Sequence, residues 1–243
     1  MRDQKTSELA ECANAHSVKR MVRGHNHVTL YNADWRDVLP ELVWDAIVTD
    51  PPYGVNHCGN KGRRAKIDCE ITGDTTPPDV AWMAEYPAVI WGANNFELPR
   101  STGWLVWDKT HGAKCQHSQA ELAWSNVVKT IRLHREAYHG FMRQRDGWYH
   151  PTQKPPKLMQ WCMQWLAEDC TILDPYMGSG TTGIAALRTG RNFVGVEIDP
   201  EHFKTACARL ERECNQGAFD MTPNDQAQAQ PPTATPERNQ KEQ

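Results

Sequence analysis

Asp50, Pro51, Pro52 and Tyr53 close a near-continuous apolar run that starts at Trp44. A carboxylate at the end of a buried strand accepts hydrogen bonds, and so does the backbone carbonyl of the proline beside it. Two successive prolines stiffen the turn and fix where that carbonyl points. Tyr53 adds an aromatic face. The set suits a flat ring bearing an exocyclic amine: two acceptors take the amine hydrogens while the aromatic face covers the ring. Taken alone, the same four residues also make an ordinary turn at a strand end.

A second apolar run, Ile172 to Leu173, ends in Asp174 and Pro175, and Gly178-Ser179-Gly180-Thr181-Thr182-Gly183 follows. This is the spacing G-x-G-x-x-G between a strand and a helix, with Glu197 at the end of the next strand. Glycines allow a tight turn and close backbone approach, and a helix N-terminus favours a negative group. An acid one strand on can accept hydrogen bonds from ribose hydroxyls. NAD and S-adenosylmethionine (SAM) both carry an adenosine ribose, so the loop alone does not separate them. Asp174 weighs against NAD, because it would repel a pyrophosphate, whereas SAM carries a sulfonium and an ammonium.

These residues need strands and helices to hold them. His27–Tyr31, Trp44–Thr49, Ala88–Trp91, Trp104–Trp107, Ala120–Trp124, Thr171–Leu173 and Phe193–Val196 read as strands. Asp34 is a good N-cap for a helix through about Leu42. Pro155 and Pro156 sit where prolines are tolerated, at the first turn of a helix running to about Glu168. Further helices are expected from Thr181 to Leu187 and from Pro200 to about Leu210. Strands alternating with helices predict an α/β fold with a doubly wound, mostly parallel sheet. The residues from 54 to 78 read as a long loop, which in a compact domain is usually functional. Ten tryptophans is a high count; Trp91, Trp104, Trp107 and Trp124 lie in or beside these runs, and most of the ten are expected in the core.

The two motifs, in this order and joined by His150-Pro151-Thr152-Gln153-Lys154-Pro155, resemble the SAM-dependent DNA amino-methyltransferases. The resemblance covers about residues 25 to 213 and is to the group whose catalytic motif precedes the cofactor loop. It implies a Rossmann-like methyltransferase fold and an enzyme that methylates adenine N6 in DNA. Cytosine N4 is the alternative target; the leading Asp favours adenine. Asp50, Pro51, Pro52 and Tyr53 would be catalytic. Asp34, Lys154, Asp174, Pro175, Gly178, Gly180, Thr181, Thr182, Glu197 and Asp199 would bind SAM. Asp34 serves equally well as a helix cap. No Pro-Cys dipeptide is present, which argues against methylation of a ring carbon. Tyr176 stands where the family more often has Phe. The segment from about 126 to 149, where the family places target recognition, is short, so a short or relaxed target site is expected. A catalytically silent nucleic-acid-binding subunit is a second class of reading, disfavoured by the intact motifs.

The formal net charge is −3, which does not announce a nucleic-acid binder, but local runs are basic. Lys61, Arg63, Arg64 and Lys66 follow the Pro-Pro-Tyr turn, and Arg143 and Arg145 precede His150; double-stranded DNA phosphate is their expected partner. Residues 1–22 read as a flexible segment, 23–214 as the methyltransferase domain and 215–243 as a disordered tail. Eight cysteines form no Cys-x-x-Cys pair, and no metal is expected, although His57, Cys58, Cys115 and His117 are zinc-ligand types. No apolar run is long enough to span a membrane and no signal-peptide core is present, so a soluble protein is expected; the resemblance further implies a restriction–modification enzyme of the cytoplasm, bacterial or, if phage-encoded, of the host. Two protomers binding together would lengthen the recognised site.

Overall fold

The computed structural model describes residues 15–54, 76–110, 118–136 and 153–219. Within them lie strands β1 (Ser17–Arg23), β2 (Asn26–Asn32), β3 (Ala46–Thr49), β4 (Ala88–Trp91), β5 (Gly103–Asp108), β6 (Ala120–Ser125), β7 (Ile131–Arg135), β8 (Thr171–Asp174) and β9 (Asn192–Glu197). The helices are α1 (Trp35–Val38), α2 (Pro156–Met163), α3 (Thr181–Arg188) and α4 (Pro200–Phe219). The strands form one sheet in the order β1-β2-β9-β8-β3-β4-β6-β5-β7.

Five adjacent strands, β2, β9, β8, β3 and β4, run parallel. Every residue of β3 and β4 is buried, as expected of strands covered on both faces. One face carries Val48, Val89, Trp91 and Ile172 against Leu158, Met159, Ile184 and Leu210 of α2, α3 and α4. On the other, Ile47, Ile90 and Leu173 pack with Met83 of the 3-10 turn Ala81–Glu85 and with Leu39, Leu42 and Trp44. The expected mostly parallel α/β sheet, covered on both faces, is what forms. Its far side is mixed, because β6 is antiparallel to both β4 and β5 while β7 runs parallel to β5. Among the described residues no helix is long and apolar enough to cross a membrane.

From β8 the chain passes through α3 to β9 on one side; from β3 it passes to β4 on the other. The boundary between β8 and β3 is therefore the point where the winding reverses, and ligands of open α/β sheets bind outside the carboxyl ends of the strands at such a point.

Five elements differ from the sequence reading. α2, expected to run to about Glu168, ends at Met163, where the Arg191 guanidinium takes the carbonyls of Met163 and Leu166. The segment expected to be flexible to residue 22 contains β1, paired to β2 from Ser17 opposite Asn32 to Arg23 opposite Asn26. β1 edges the sheet and buries only Met21, so it shows no apolar alternation. β7 lies inside the segment expected to serve target recognition; Ile131 and Leu133 are exposed on it, which hides its strand character. The helix at Asp34 is four residues long and gives way to a 3-10 turn containing Pro40. α4 passes residue 214 and reaches Phe219, its late turns anchored by buried Glu213, which accepts two hydrogen bonds from Arg188.

Arg191 holds the end of α2 to the turn before β9. Its guanidinium donates to the carbonyls of Met163 and Leu166 at 3.1 Å each, Ala167 at 3.1 Å and Thr189 at 3.0 Å. A buried carbonyl left unpaired costs about 1–3 kcal/mol. Arg191→Ala is therefore expected to lower unfolding free energy by at least ~2 kcal/mol, seen in urea as a reduced midpoint at unchanged slope. A midpoint equal to wild type would show that water takes over these carbonyls at no cost.

Candidate active site

Because β2, β9, β8, β3 and β4 are parallel, their carboxyl ends share one rim. Asp34 follows β2, Glu197 ends β9, Asp174 ends β8, Asp50 follows β3 and Gly92 follows β4. The two sequence motifs thus meet across the β8–β3 boundary.

Asp174 forms the junction. Thr49 Oγ1 on β3 donates to its Oδ1 at 2.7 Å, Thr182 Oγ1 on α3 to its Oδ2 at 2.6 Å, and the Tyr176 N–H to Oδ1 at 3.1 Å. Burial pushes this carboxyl up to about 6, and the three hydrogen bonds oppose the rise. The hydroxyl proton of Thr182 is therefore committed to Asp174. Tyr176 packs edge-on to Trp35 with ring centroids 6.2 Å apart, so its ring has a place beside the end of β2.

The glycine loop begins α3. Gly180 is the N-cap with φ +81, which disfavours any side chain. A Cβ there would meet Ala206 and Leu210 of α4 at 3.1 and 3.2 Å. Gly180 thus serves the loop's conformation and its packing on α4. Gly178 is the glycine that borders free space, since a Cβ on it meets nothing within 4 Å. Beneath the loop, buried Arg209 donates to Ser179 Oγ at 2.8 Å and Thr181 Oγ1 at 3.3 Å. Glu197 accepts the N–H of Gly178 at 2.9 Å and of Asp199 at 2.8 Å. Its burial pushes the carboxyl up to about 7. Asp199 caps α4, accepting the N–H groups of Glu201 and His202 at 2.8 and 3.0 Å. Asp34 caps α1, accepting the Arg36 N–H at 3.0 Å, and pairs with the Arg36 guanidinium at 2.6 Å. Pro175 is buried between Asp174 and Tyr176.

On the other side of the junction, Asp50 is doubly bound. Tyr53 donates its hydroxyl to Oδ1 at 2.6 Å, and Lys154 Nζ donates to Oδ2 at 2.6 Å. Lys154 Nζ also lies 3.1 Å from Tyr53 Oη and 3.0 Å from Glu121 Oε2. Its ammonium faces the rings of Tyr53 and Trp91, 5.7 and 6.0 Å from their centroids. The Lys154 side chain is 6% exposed, against 23% for Asp50. The lysine is thus the buried member, and the carboxylate keeps an opening at the rim. Burial raises the pKa of Asp50, and Lys154 pulls it back; Lys154 itself is held well above its usual value, because the carboxylates of Asp50 and Glu121 outweigh the cost of burying its charge. Tyr53 is also pushed up, by burial and then by Asp50, so its phenol stays protonated and donates.

Lys154 is expected from the sequence at the cofactor carboxylate. Its ammonium is instead committed to Asp50 and Glu121, because a cation this buried requires carboxylate partners. Lys61, Arg63, Arg64, Lys66, Arg143 and Arg145 lie outside the described residues, as do His57, Cys58, Cys115 and His117. Among the described residues no group of three metal-ligand side chains occurs. Sequence reasoning misses Glu121, Gly92, Trp91 and Arg209. Each sits in a segment read only for its apolar pattern, and the signal available is a single acid (Glu121) in a strand otherwise rich in apolar residues.

Asp34, Asp50, Asp174 and Glu197 thus share one rim with the glycine loop at the reversal point of a parallel sheet, the place where open α/β sheets bind ligands. Residues 106–208 match the family model described as DNA methylase, of the N6/N4 type. The match takes in the glycine loop and Lys154 and begins after Asp50. The chain is 30% identical over 142 residues to Type II methyltransferase M2.DpnII of Streptococcus pneumoniae, covering 56% of this chain and 51% of that protein. It is 29% identical over 145 residues to Type II methyltransferase M2.LlaDCHI of Lactococcus lactis subsp. cremoris, covering 57% and 52%. The chain thus spans about half the length of these curated relatives. Among solved structures, M1.HpyAVI in complex with SAM aligns at TM-score 0.45 and 24% identity, over 75% of this chain and 100% of that one.

Gly92, at φ +69, makes room for Tyr53: a Cβ there would collide with the Tyr53 ring. Gly92→Ala is expected to displace Tyr53 and lengthen its bond to Asp50, with overpacking costing about 1–3 kcal/mol. A crystal structure of the variant, with its thermal midpoint, checks both. An unmoved Tyr53 would mean that the strand end yields instead.

Proposed function

We propose that this chain is a SAM-dependent DNA methyltransferase that methylates the N6 amine of adenine. The observation that carries the reading is the placement of Asp50, partly open at the rim, beside the Asp174 and glycine-loop half of the site, with the Thr49–Asp174 hydrogen bond tying the two together.

SAM suits the residues on the loop side. Gly178 faces free space that a side chain would fill, and two buried acids, Asp174 and Glu197, favour a cationic ligand over a pyrophosphate. Gly178, Thr181 and Glu197 would hold it, with Asp34 at the edge of β2; Asp174, Thr182 and Asp199 act by shaping the loop and the start of α4. When bound, SAM supplies an electrophilic methyl group.

The rest of the chemistry belongs to the chain. An adenine amine delocalises its lone pair into the ring. Asp50 accepts one amine hydrogen and the Pro51 carbonyl the other, which draws the nitrogen towards tetrahedral geometry and exposes that pair. Tyr53 and Lys154 hold the two carboxylate oxygens in place, so the acceptor is fixed before the base arrives, and positioning of this kind supplies much of the rate. The base must leave the duplex to reach such a pocket. The basic residues that follow Tyr53 supply phosphate contacts.

With SAM and DNA, the protein is expected to leave N6-methyladenine at defined sites, read by mapping methylated bases. Methyl groups on cytosine N4 would reassign the target, and no methylated base on any DNA would remove the reading. Asp50→Ala is expected to reduce transfer by about 10²–10³-fold, as for loss of one fixed polar contact to the reacting group. SAM affinity, by calorimetry, should stay within a few-fold. Near-normal turnover would take Asp50 out of the mechanism. Replacing Lys61, Arg63, Arg64 and Lys66 by Gln should flatten the salt dependence of DNA binding by about 0.9 in log–log slope for each phosphate no longer neutralised. An unchanged slope would leave this run without a role in binding.

A further inference from the structure

We propose that Glu121 is a positioning residue that acts on Asp50 through Lys154, dividing the lysine's charge between two carboxylates so that Asp50 keeps its strength as an acceptor. The inference rests on the role given to Asp50 above.

β6 runs antiparallel to β4 and therefore begins at the rim where β4 ends; Gly92 donates its N–H to the Leu122 carbonyl at 2.9 Å. Glu121 enters the site from that start. Its Oε2 lies 3.0 Å from Lys154 Nζ, and its Oε1 accepts from Lys109 Nζ at 2.8 Å. Lys109 follows β5, and its N–H closes the β5–β6 connection on the Gln119 carbonyl at 3.0 Å. Four charges thus alternate along one line: Asp50, Lys154, Glu121, Lys109.

The order matters. A lysine paired with Asp50 alone would neutralise it and weaken its hold on a neutral amine. With Glu121 on its other side, the same ammonium is shared, and Asp50 keeps more of its negative charge. Lys109 in turn keeps Glu121 ionised: burial raises the Glu121 pKa, but the two lysines more than offset it and leave it low. The groups facing Asp50 are Lys154 ahead of α2, Tyr53 in its own turn, Glu121 on β6, with Lys109 behind it, and Asp174 on β8. Removing the negative charge of Glu121 takes away a repulsion that raises the Asp50 pKa and frees Lys154 to bind Asp50 more tightly. Both effects lower that pKa.

Two variants and two readouts test this. Glu121→Gln keeps the shape and the hydrogen-bond acceptor; Glu121→Asp keeps the charge. The titration of Asp50, followed by NMR of carboxyl-labelled aspartate and assigned by comparison with Asp50→Asn, should move to lower pH in Glu121→Gln and stay near wild type in Glu121→Asp. In methyl transfer, Glu121→Gln should lower kcat about tenfold, with KM for SAM unchanged and the acid limb of the pH profile moved the same way as the titration. Glu121→Asp should restore most of kcat. An Asp50 titration unmoved by Glu121→Gln overturns the inference, as does a uniform loss of kcat with the acid limb in place. The titration needs no turnover, so a protein whose Asp50 titration moves as expected but which methylates nothing would defeat the proposed function and leave the charge relation standing.

Discussion

A single buried carboxylate, Asp174, holds the two halves of the site together. It ends β8, yet two of its three hydrogen-bond donors belong to other elements: Thr49 to β3 and Thr182 to α3. Asp50 follows Thr49 by one residue, so the position of the acceptor is set through this contact. α3 opens with Gly180 and Thr181, so the glycine loop is set through it as well. A buried polar group that loses its partner costs more than the pair contributes. The carboxylate therefore fixes where β3 ends relative to the loop, whatever occupies the rim.

The site uses its acids in two ways. On the loop side, Asp174 and Glu197 are bound by neutral hydroxyl and N–H donors and are pushed up by burial to about 6 and about 7. On the acceptor side, Asp50 and Glu121 are bound by ammonium groups, with Glu121 held low. The first pair answers sensitively to a cation placed beside it. In the second, the lysines hold Glu121 charged and oppose the rise that burial gives Asp50. One rim thus offers an adaptable negative lining next to a fixed acceptor.

The parallel core and both motifs are legible in the sequence because each is local. β3, β4 and β8 are short apolar runs buried on both faces, and each motif sits directly at a strand end. β1 and β7 are not legible, because an edge strand needs to bury little: Met21 alone in β1, and Ile131 and Leu133 exposed in β7. The role of Lys154 is hidden too. Spacing along the chain puts it near the cofactor loop, whereas its partner Glu121 enters from an antiparallel strand whose direction no local pattern announces. Asp199 shows the same limit from the other side: an acid after a strand end reads as a ligand group, and in three dimensions it caps α4; the cap made by Asp34 is legible beforehand, because the N-cap pattern is local.

The reversed direction of β6 has a consequence for how such a protein can vary. The connection from β5 to β6 leaves the rim at Lys109 and returns at Gln119, and a backbone hydrogen bond shuts its base. Lys109 and Glu121 lie at that closed base and are joined to each other. The charge line to Asp50 is therefore anchored at the base of the connection, by one backbone hydrogen bond and one ion pair. Length can change between Lys109 and Gln119 without removing either of these two contacts.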